Sequence, residues 1–104
     1  MSWVYLIFAG LFEIVWATTM KLSDGFSKPL YAVTTVLTMI VSFGLLSLAM
    51  KTLPLGTAYT IWTGIGAIGA FVVGIVWMGD AVSALRIVAA ILIVSGLVLM
   101  KISS

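Results

Sequence analysis

Residues 8–17 read FAGLFEIVWA, a stretch that places one carboxylate, Glu13, inside an apolar run from Trp3 to Met20. At a rise of about 1.5 Å per residue, Glu13 lies roughly 15 Å along a helix that begins at Trp3, which is the depth of a bilayer midplane. An ionisable group at that depth is costly unless it faces a partner or a watery cavity. Glu13 is therefore the first candidate for a functional residue.

The composition places this stretch in a membrane protein. Of the 104 residues, 63% are hydrophobic and only 8% are charged, and the mean hydropathy is +1.34. A soluble domain of this size needs more polar surface. Apolar runs predict helices over about residues 3–21, 30–50, 56–78 and 83–101, and the period-two alternation of a β-barrel is absent from the sequence. We predict one all-α integral membrane domain over residues 1–104, with four transmembrane helices.

The same composition excludes several classes of function. The chain has no cysteine and no histidine, so disulfides, thiolate metal sites and the usual metal ligand are excluded. The net charge of +2 is small and scattered, which argues against a nucleic-acid partner. The sequence also lacks a nucleophile–base pair and a phosphate-binding loop. We therefore expect neither an enzyme nor a bound metal or cofactor.

The residues one helical turn from Glu13 form a candidate binding face. Gly10 and Trp16 lie three residues away on either side, so they share a face of the helix with the carboxylate. Trp16 lies deeper than the aromatic belt at a membrane surface, which favours a role in a site over a role as an interface anchor. On the second helix, Ser42 is the candidate for a polar partner of the carboxylate.

The third helix carries a second aromatic face. Tyr59 and Trp62 are three residues apart and adjoin Thr63. Gly64 and Gly66 follow at once, and glycine there marks either a hinge or a place where helices pack closely. The sequence leaves these two interpretations open.

The loop charges give the chain almost no preferred orientation. Lys51 and Lys101 share one side of the membrane, and Lys21, Lys28 and Arg86 share the other. A difference of one charge, which a free N-terminal amine removes, is a weak signal for the positive-inside rule. We hypothesise that the chain inserts in both orientations and pairs as an antiparallel dimer, with a shared site at the midplane.

An independent consideration also favours a dimer. Four helices of this length do not easily surround a substrate cavity and shield Glu13 from lipid at the same time, whereas eight can. Two copies would place two Glu13 carboxylates in one chamber.

Several motifs taken together resemble one transporter family. They are the segment from Glu13 to Ala17 (EIVWA), Lys21, the turn at residues 25–27, Ser42, the segment LPLGTAYTIWTGIGA at residues 53–67, and Lys101. These residues resemble the small multidrug resistance family over essentially the whole chain. Within the family, Trp16, the WTGIGA segment and the lysine that ends the fourth helix are similar to the guanidinium-exporter subtype.

The resemblance implies a function and roles for named residues. It implies four-helix subunits that form antiparallel, dual-topology homodimers in the bacterial inner membrane and exchange protons for guanidinium ions. Glu13 would bind proton or substrate, and Trp16 and Trp62 would shape the cavity. Ser42 and Tyr59 would hydrogen-bond Glu13. The remaining roles are a supporting one for Gly10, Thr63 and Lys101, and a hinge at Gly64 and Gly66.

Other functions remain open at the level of sequence. Within the transporter class, the alternative is export of quaternary ammonium or other hydrophobic cations, or a role as one subunit of a heterodimeric pair. From a different class, the chain could be a small structural subunit of a larger membrane complex, in which Glu13 would be a buried hydrogen-bonding partner.

Overall fold

The fold is four long helices joined by short links. A computed structural model of the chain describes residues 1–103, and the helices in this range are α1 (Ser2–Leu22), α2 (Pro29–Ala49), α3 (Leu55–Val76) and α4 (Ala84–Ile102). Each helix is long and apolar enough to cross a membrane. The predicted all-α membrane fold is therefore confirmed, and the helix ends lie within two residues of the predicted positions.

Local sequence explains where two of the helices begin. α2 starts with Pro29 in its first turn, a position where the missing N–H of proline has no helical partner to lose. α4 starts after Ser83, whose hydroxyl accepts a hydrogen bond from the amide of Arg86 at 3.2 Å. That bond satisfies one of the free amide groups at the start of the helix.

The end of α3 differs from the sequence prediction for a local reason. The apolar run predicted a helix through residue 78, but the helix ends at Val76. The chain then turns back, because Gly79 has a positive φ of 73° and the amide of Asp80 donates to the carbonyl of Gly74 at 2.9 Å. A glycine with positive φ is the common way to end a helix, and hydrophobicity alone does not detect it.

α1 is the central helix of the chain. It packs extensively against both α2 and α3, whereas α2 and α3 contact each other only sparsely and α4 packs against α3. The link at residues 51–56 is short, and yet α2 and α3 are not closely packed neighbours. A short link makes consecutive helices antiparallel, but it does not prevent a third helix from packing between them.

The buried core is small and lies where α1, α2 and α3 meet. The buried apolar residues are Leu6, Ala9, Leu46, Ala49, Ala58, Ile61 and Trp62. The whole chain measures 40 × 35 × 16 Å, and its thin dimension is only slightly more than one helix diameter of about 10–12 Å. The subunit is therefore a flat layer of helices.

α4 lies at the edge of this layer. None of its residues is buried within the chain, and large apolar side chains such as Ile91, Leu92 and Leu99 are exposed on it. A Cβ atom added at Gly96 of this helix would meet nothing within 4 Å. The chain by itself leaves this apolar helix uncovered.

Glycine allows α1 and α3 to approach closely. A Cβ atom added at Gly10 would lie 2.7 Å from Ile65 Cβ, which is too close for carbon atoms without a shift of the backbone. By contrast, a Cβ atom at Gly44 of α2 would meet nothing within 4 Å.

We expect Gly10→Ala to lower the stability of the folded chain by about 1–3 kcal/mol, because overpacking forces α1 away from α3. Gly44→Ala is the matched control and is expected to leave stability unchanged or slightly raised, since alanine favours helices. Thermal unfolding of the purified protein in detergent, followed by tryptophan fluorescence, measures both. Equal melting temperatures for the two variants would contradict the close α1–α3 packing.

Candidate functional site

The carboxyl group of Glu13 lies in the interface between α1 and α3. It rests directly on Gly66, and a Cβ atom at that position would collide with Glu13 Cδ and Oε1. Gly66 is buried, and the Glu13 side chain is half-buried. The lack of a side chain at residue 66 is thus what makes room for the carboxyl group.

One oxygen of this carboxyl group lacks a partner. Glu13 Oε1 is fully buried and accepts no hydrogen bond from any residue in the range 1–103. A buried polar atom without a hydrogen bond costs about 1–3 kcal/mol, and more when it is charged. Such atoms are rare in folded proteins and call for an explanation, for example a ligand.

Trp16 provides a second buried polar group that lacks a hydrogen bond within residues 1–103. Its indole Nε1 is buried and donates to no acceptor among the described residues. Because Trp16 follows Glu13 by three residues, both side chains lie on the same face of α1. The site therefore offers an unused acceptor and an unused donor, side by side in an apolar interface.

Ser42 connects the three core helices through hydrogen bonds. Its hydroxyl, which is completely buried, donates to the carbonyl of Ala9 at 2.7 Å and accepts from Trp62 Nε1 at 3.0 Å. In a regular helix the carbonyl of residue 9 also accepts the amide of residue 13. Ser42 thus holds the indole of Trp62 against the turn of α1 that carries Glu13.

A chain of four aromatic rings connects α1, α2 and α3. The ring of Phe43 lies 6.2 Å from that of Trp16 in an edge-on arrangement and 5.6 Å from that of Trp62. Tyr59 extends the chain, with its ring 5.5 Å from that of Trp62. Aromatic pairs at these separations contribute about 0.5–1.5 kcal/mol each beyond the burial of their area.

Ring contacts and a hydrogen bond link four of the five residues predicted for the binding site, and Glu13 shares a face of α1 with one of them, Trp16. Ser42 was expected to hydrogen-bond Glu13, and instead its hydroxyl bonds Ala9 and Trp62. Tyr59 was expected to bond the carboxylate too, and it is 53% exposed, with its ring against Trp62. In a single chain Ser42 therefore contacts the backbone of α1 and the indole of Trp62, and Tyr59 contacts Trp62.

The residues given supporting roles are more scattered. Gly10 packs α1 against Ile65, and Gly64 packs α3 against Leu97 of α4. Thr63 is exposed on the α3–α4 side. The ammonium group of Lys101 lies over the ring of Trp3 at 4.4 Å, in the first turn of α1 and away from Glu13 in the middle of that helix. A hinge at Gly64 and Gly66 stays a prediction, because α3 runs continuously through both.

Phe43 is the residue of the cluster that sequence reasoning did not assign to the site. It stands between Trp16 and Trp62, and so it connects the aromatic residues of α1 and α3. Its position directly after Ser42 was the only signal in the sequence. That signal is weak, because adjacent residues on a helix point about 100° apart.

This arrangement suits a small organic cation. A carboxylate beside several aromatic faces provides an ionic partner and surfaces for cation–π contact. Among residues 1–103 no group of three or more histidine, cysteine or acidic side chains gathers at one place. The site therefore has the chemistry of an organic cation site, with Glu13 as its charged group.

Comparison with known proteins identifies close relatives. The family model described as "Small Multidrug Resistance protein" matches residues 1–93. A protein named guanidinium exporter from Salmonella typhimurium is 49% identical over 104 residues, which cover 100% of this chain and 99% of the relative. Proteins of the same name from Escherichia coli K12 and Citrobacter freundii are 50% and 47% identical over the same span and coverage.

The hydrogen bonds of Ser42 generate a stability prediction. Ser42→Ala leaves the buried Trp62 Nε1 without an acceptor, so we expect a loss of about 1–3 kcal/mol in unfolding free energy. Ser47→Ala, on the exposed side of the same helix, is the matched control and is expected to change stability by less than about 0.5 kcal/mol. Denaturation in mixed micelles measures both, and equal losses would contradict the bridging role of Ser42.

Proposed function

The chain belongs to the small multidrug resistance family, and we propose that it exports guanidinium ions across the bacterial inner membrane in exchange for protons. Two buried polar atoms carry this proposal: Oε1 of Glu13 and the indole Nε1 of Trp16. Neither has a hydrogen-bond partner among residues 1–103. Relatives that are named guanidinium exporter support the choice of substrate.

Guanidinium matches this site better than other organic cations. It is planar, stays charged near neutral pH, and donates paired hydrogen bonds to a carboxylate. Its flat face can also lie against Trp16 or Phe43, where a desolvated cation–π contact contributes about 2 kcal/mol. A quaternary ammonium ion has no N–H group, so it leaves Glu13 Oε1 without a hydrogen bond. The structure therefore favours guanidinium over the multidrug alternative.

Exchange follows from competition for one group. A charged carboxylate in this apolar interface is costly, and either a proton or a guanidinium ion removes the cost. Since both occupy the same oxygens, binding of one releases the other, which is a negative coupling between two ligands. Transport then needs only a change in the side of the membrane to which Glu13 is open, and no separate coupling residue is required.

We further propose that the functional unit is an antiparallel homodimer. A single chain covers the Glu13 side chain only in part, and α4 leaves an apolar face uncovered. The loop charges differ by one between the two sides, which permits both orientations. In such a dimer the two Glu13 side chains share one chamber, and each chain shields the other from lipid.

Transport by purified protein in liposomes tests the role of Glu13. We expect Glu13→Gln to fold and to abolish both guanidinium uptake and the linked proton movement, because glutamine carries no charge to exchange. Asp24→Asn, which changes an acidic residue in the first loop, is the matched control and should keep transport. Solid-supported membrane electrophysiology with guanidinium, guanylurea and tetraethylammonium gives the substrate order, with tetraethylammonium expected to be weakest.

The same experiment separates the rival functions. A structural subunit would show no cation-dependent current in the native form, and a multidrug exporter would respond to tetraethylammonium at least as strongly as to guanidinium. Guanidinium–proton exchange that persists in Glu13→Gln would contradict the assignment of the site.

Orientation is tested with single cysteines, since the native chain has none. We expect Ser2→Cys and Ser103→Cys to be labelled by a membrane-impermeant maleimide to roughly half in sealed cells, because half of the copies face each way. The remaining half should react after permeabilisation. Labelling of both termini from one face only would overturn the antiparallel homodimer, and balanced labelling that appears only with a second co-expressed subunit would indicate a heterodimer.

A further inference from the structure

The contact between α1 and α3 continues from Glu13 towards the first and third loops. On α1, residues 13, 17 and 21 follow at four-residue steps, and on α3 residues 66, 70 and 74 do the same, so each set lies on one helix face. Between them, Gly69 receives the side chain of Ile14 so closely that a Cβ atom would collide with it. The Glu13–Gly66 contact is thus the inner end of a continuous helix–helix seam.

This seam widens into a cavity at the end near the first and third loops. The cavity has a volume of about 290 Å³ and is lined by Ala17, Thr18, Lys21, Ala70, Gly74, Met78 and Asp80. Its innermost wall, Ala17, lies one helical turn, about 6 Å, from Glu13. The volume accommodates several water molecules, whose share of liquid is about 30 Å³ each.

Polar groups gather at the outer end of the cavity. Asp80 Oδ2 lies against Gly74, where the absence of a side chain makes room for the carboxylate, as Gly66 does for Glu13. Lys21 enters from α1 on the other wall. The hydroxyl of Thr18 donates to the carbonyl of Ile14 at 2.8 Å, which leaves its oxygen able to accept a hydrogen bond from a guest.

We propose that this cavity is a water-filled vestibule through which guanidinium ions reach Glu13, and that Asp80 is the carboxylate that first binds them. This inference rests on the proposed function and adds an access route within each subunit. Lys21 supplies a positive charge on the wall opposite Asp80, so the net charge at the outer end of the cavity stays close to zero. A cation is therefore held only weakly there and moves on towards Glu13. The close contact of Ile14 with Gly69 closes the inner end of the vestibule, so a cation passes on to Glu13 only when this contact opens.

Thiol labelling tests the vestibule without reference to transport. Ala70→Cys places a thiol at the inner part of the cavity, and Val72→Cys, two residues along α3, is the matched control. Val72 is nearer the end of α3 but lies on the α4 side of the helix. In liposomes with reagent on both sides, we expect a cationic methanethiosulfonate to modify the Ala70→Cys variant at least about tenfold faster than Val72→Cys, because thiolates form in water rather than in lipid.

The same measurement has two internal checks. Ala17→Cys on the opposite wall should react like Ala70→Cys, which keeps the test valid if one variant does not fold. Reaction of the thiols at positions 17 and 70 no faster than that of the thiol at position 72 would overturn the vestibule. Labelling needs no substrate, so it can also be measured in the Glu13→Gln variant. Loss of transport in that variant tests the proposed function, whereas the labelling rates test the vestibule alone.

Charge changes test the role of the outer end. In the Ala70→Cys chain, Asp80→Asn should slow a cationic reagent and speed an anionic one, each by about two- to threefold, as expected for one unit charge near a watery path. Lys21→Gln should do the reverse, and Lys28→Gln, which removes a cation that does not line the cavity, should change neither. Unchanged rates in Asp80→Asn would overturn the binding role of Asp80.

Transport measurements give a further test of the role of Asp80. We expect Asp80→Asn to raise the guanidinium concentration at half-maximal current about threefold while the maximal current stays the same, because the variant loses cation capture but keeps Glu13. A lowered maximal current with an unchanged half-maximal concentration would show that Asp80 acts elsewhere in the cycle and would overturn the proposal.

Discussion

The close approach of α1 to α3 is the constraint on which the rest of the structure depends. It brings the carboxyl group of Glu13 onto the backbone of Gly66 and removes one of its oxygens from solvent, with no hydrogen bond from the described residues in exchange. A buried acceptor in that state gains strongly from any guest that donates to it. The helix contact therefore creates the energetic cost that a proton or a cation removes in the proposed function.

The surrounding helices give this contact its shape. Ser42 anchors the indole of Trp62 to α1 through two hydrogen bonds, and Phe43 fills the space between that indole and Trp16. Both the hydrogen bonds and the aromatic contacts involve residues of α2, so the position of that helix fixes how the two indole rings lie. A shift of α2 would move Ser42 and Phe43 relative to the two tryptophans, while the α1–α3 contact stays in place.

Much of the fold could be predicted from the sequence, and part of the site could not. The length and hydrophobicity of a membrane helix are local properties, so the four helices and the position of Glu13 in the middle of α1 follow from the pattern alone. Which helix packs beside which depends on surfaces distant in sequence, and so the placement of α1 between α2 and α3 was missed. For the same reason Ser42 was paired with the wrong partner, and the role of Phe43 between two tryptophans was not visible.

The flatness of the subunit bears on what its stability means. The chain is 16 Å thick, and none of the residues of α4 is buried within it. In the proposed dimer, such a chain makes a large share of its contacts with the second copy. Its folded state is then linked by mass action to the number of copies in the bilayer. Dilution in lipid or detergent shifts that equilibrium, so the stability of such a protein is a function of its surface density and has no single value.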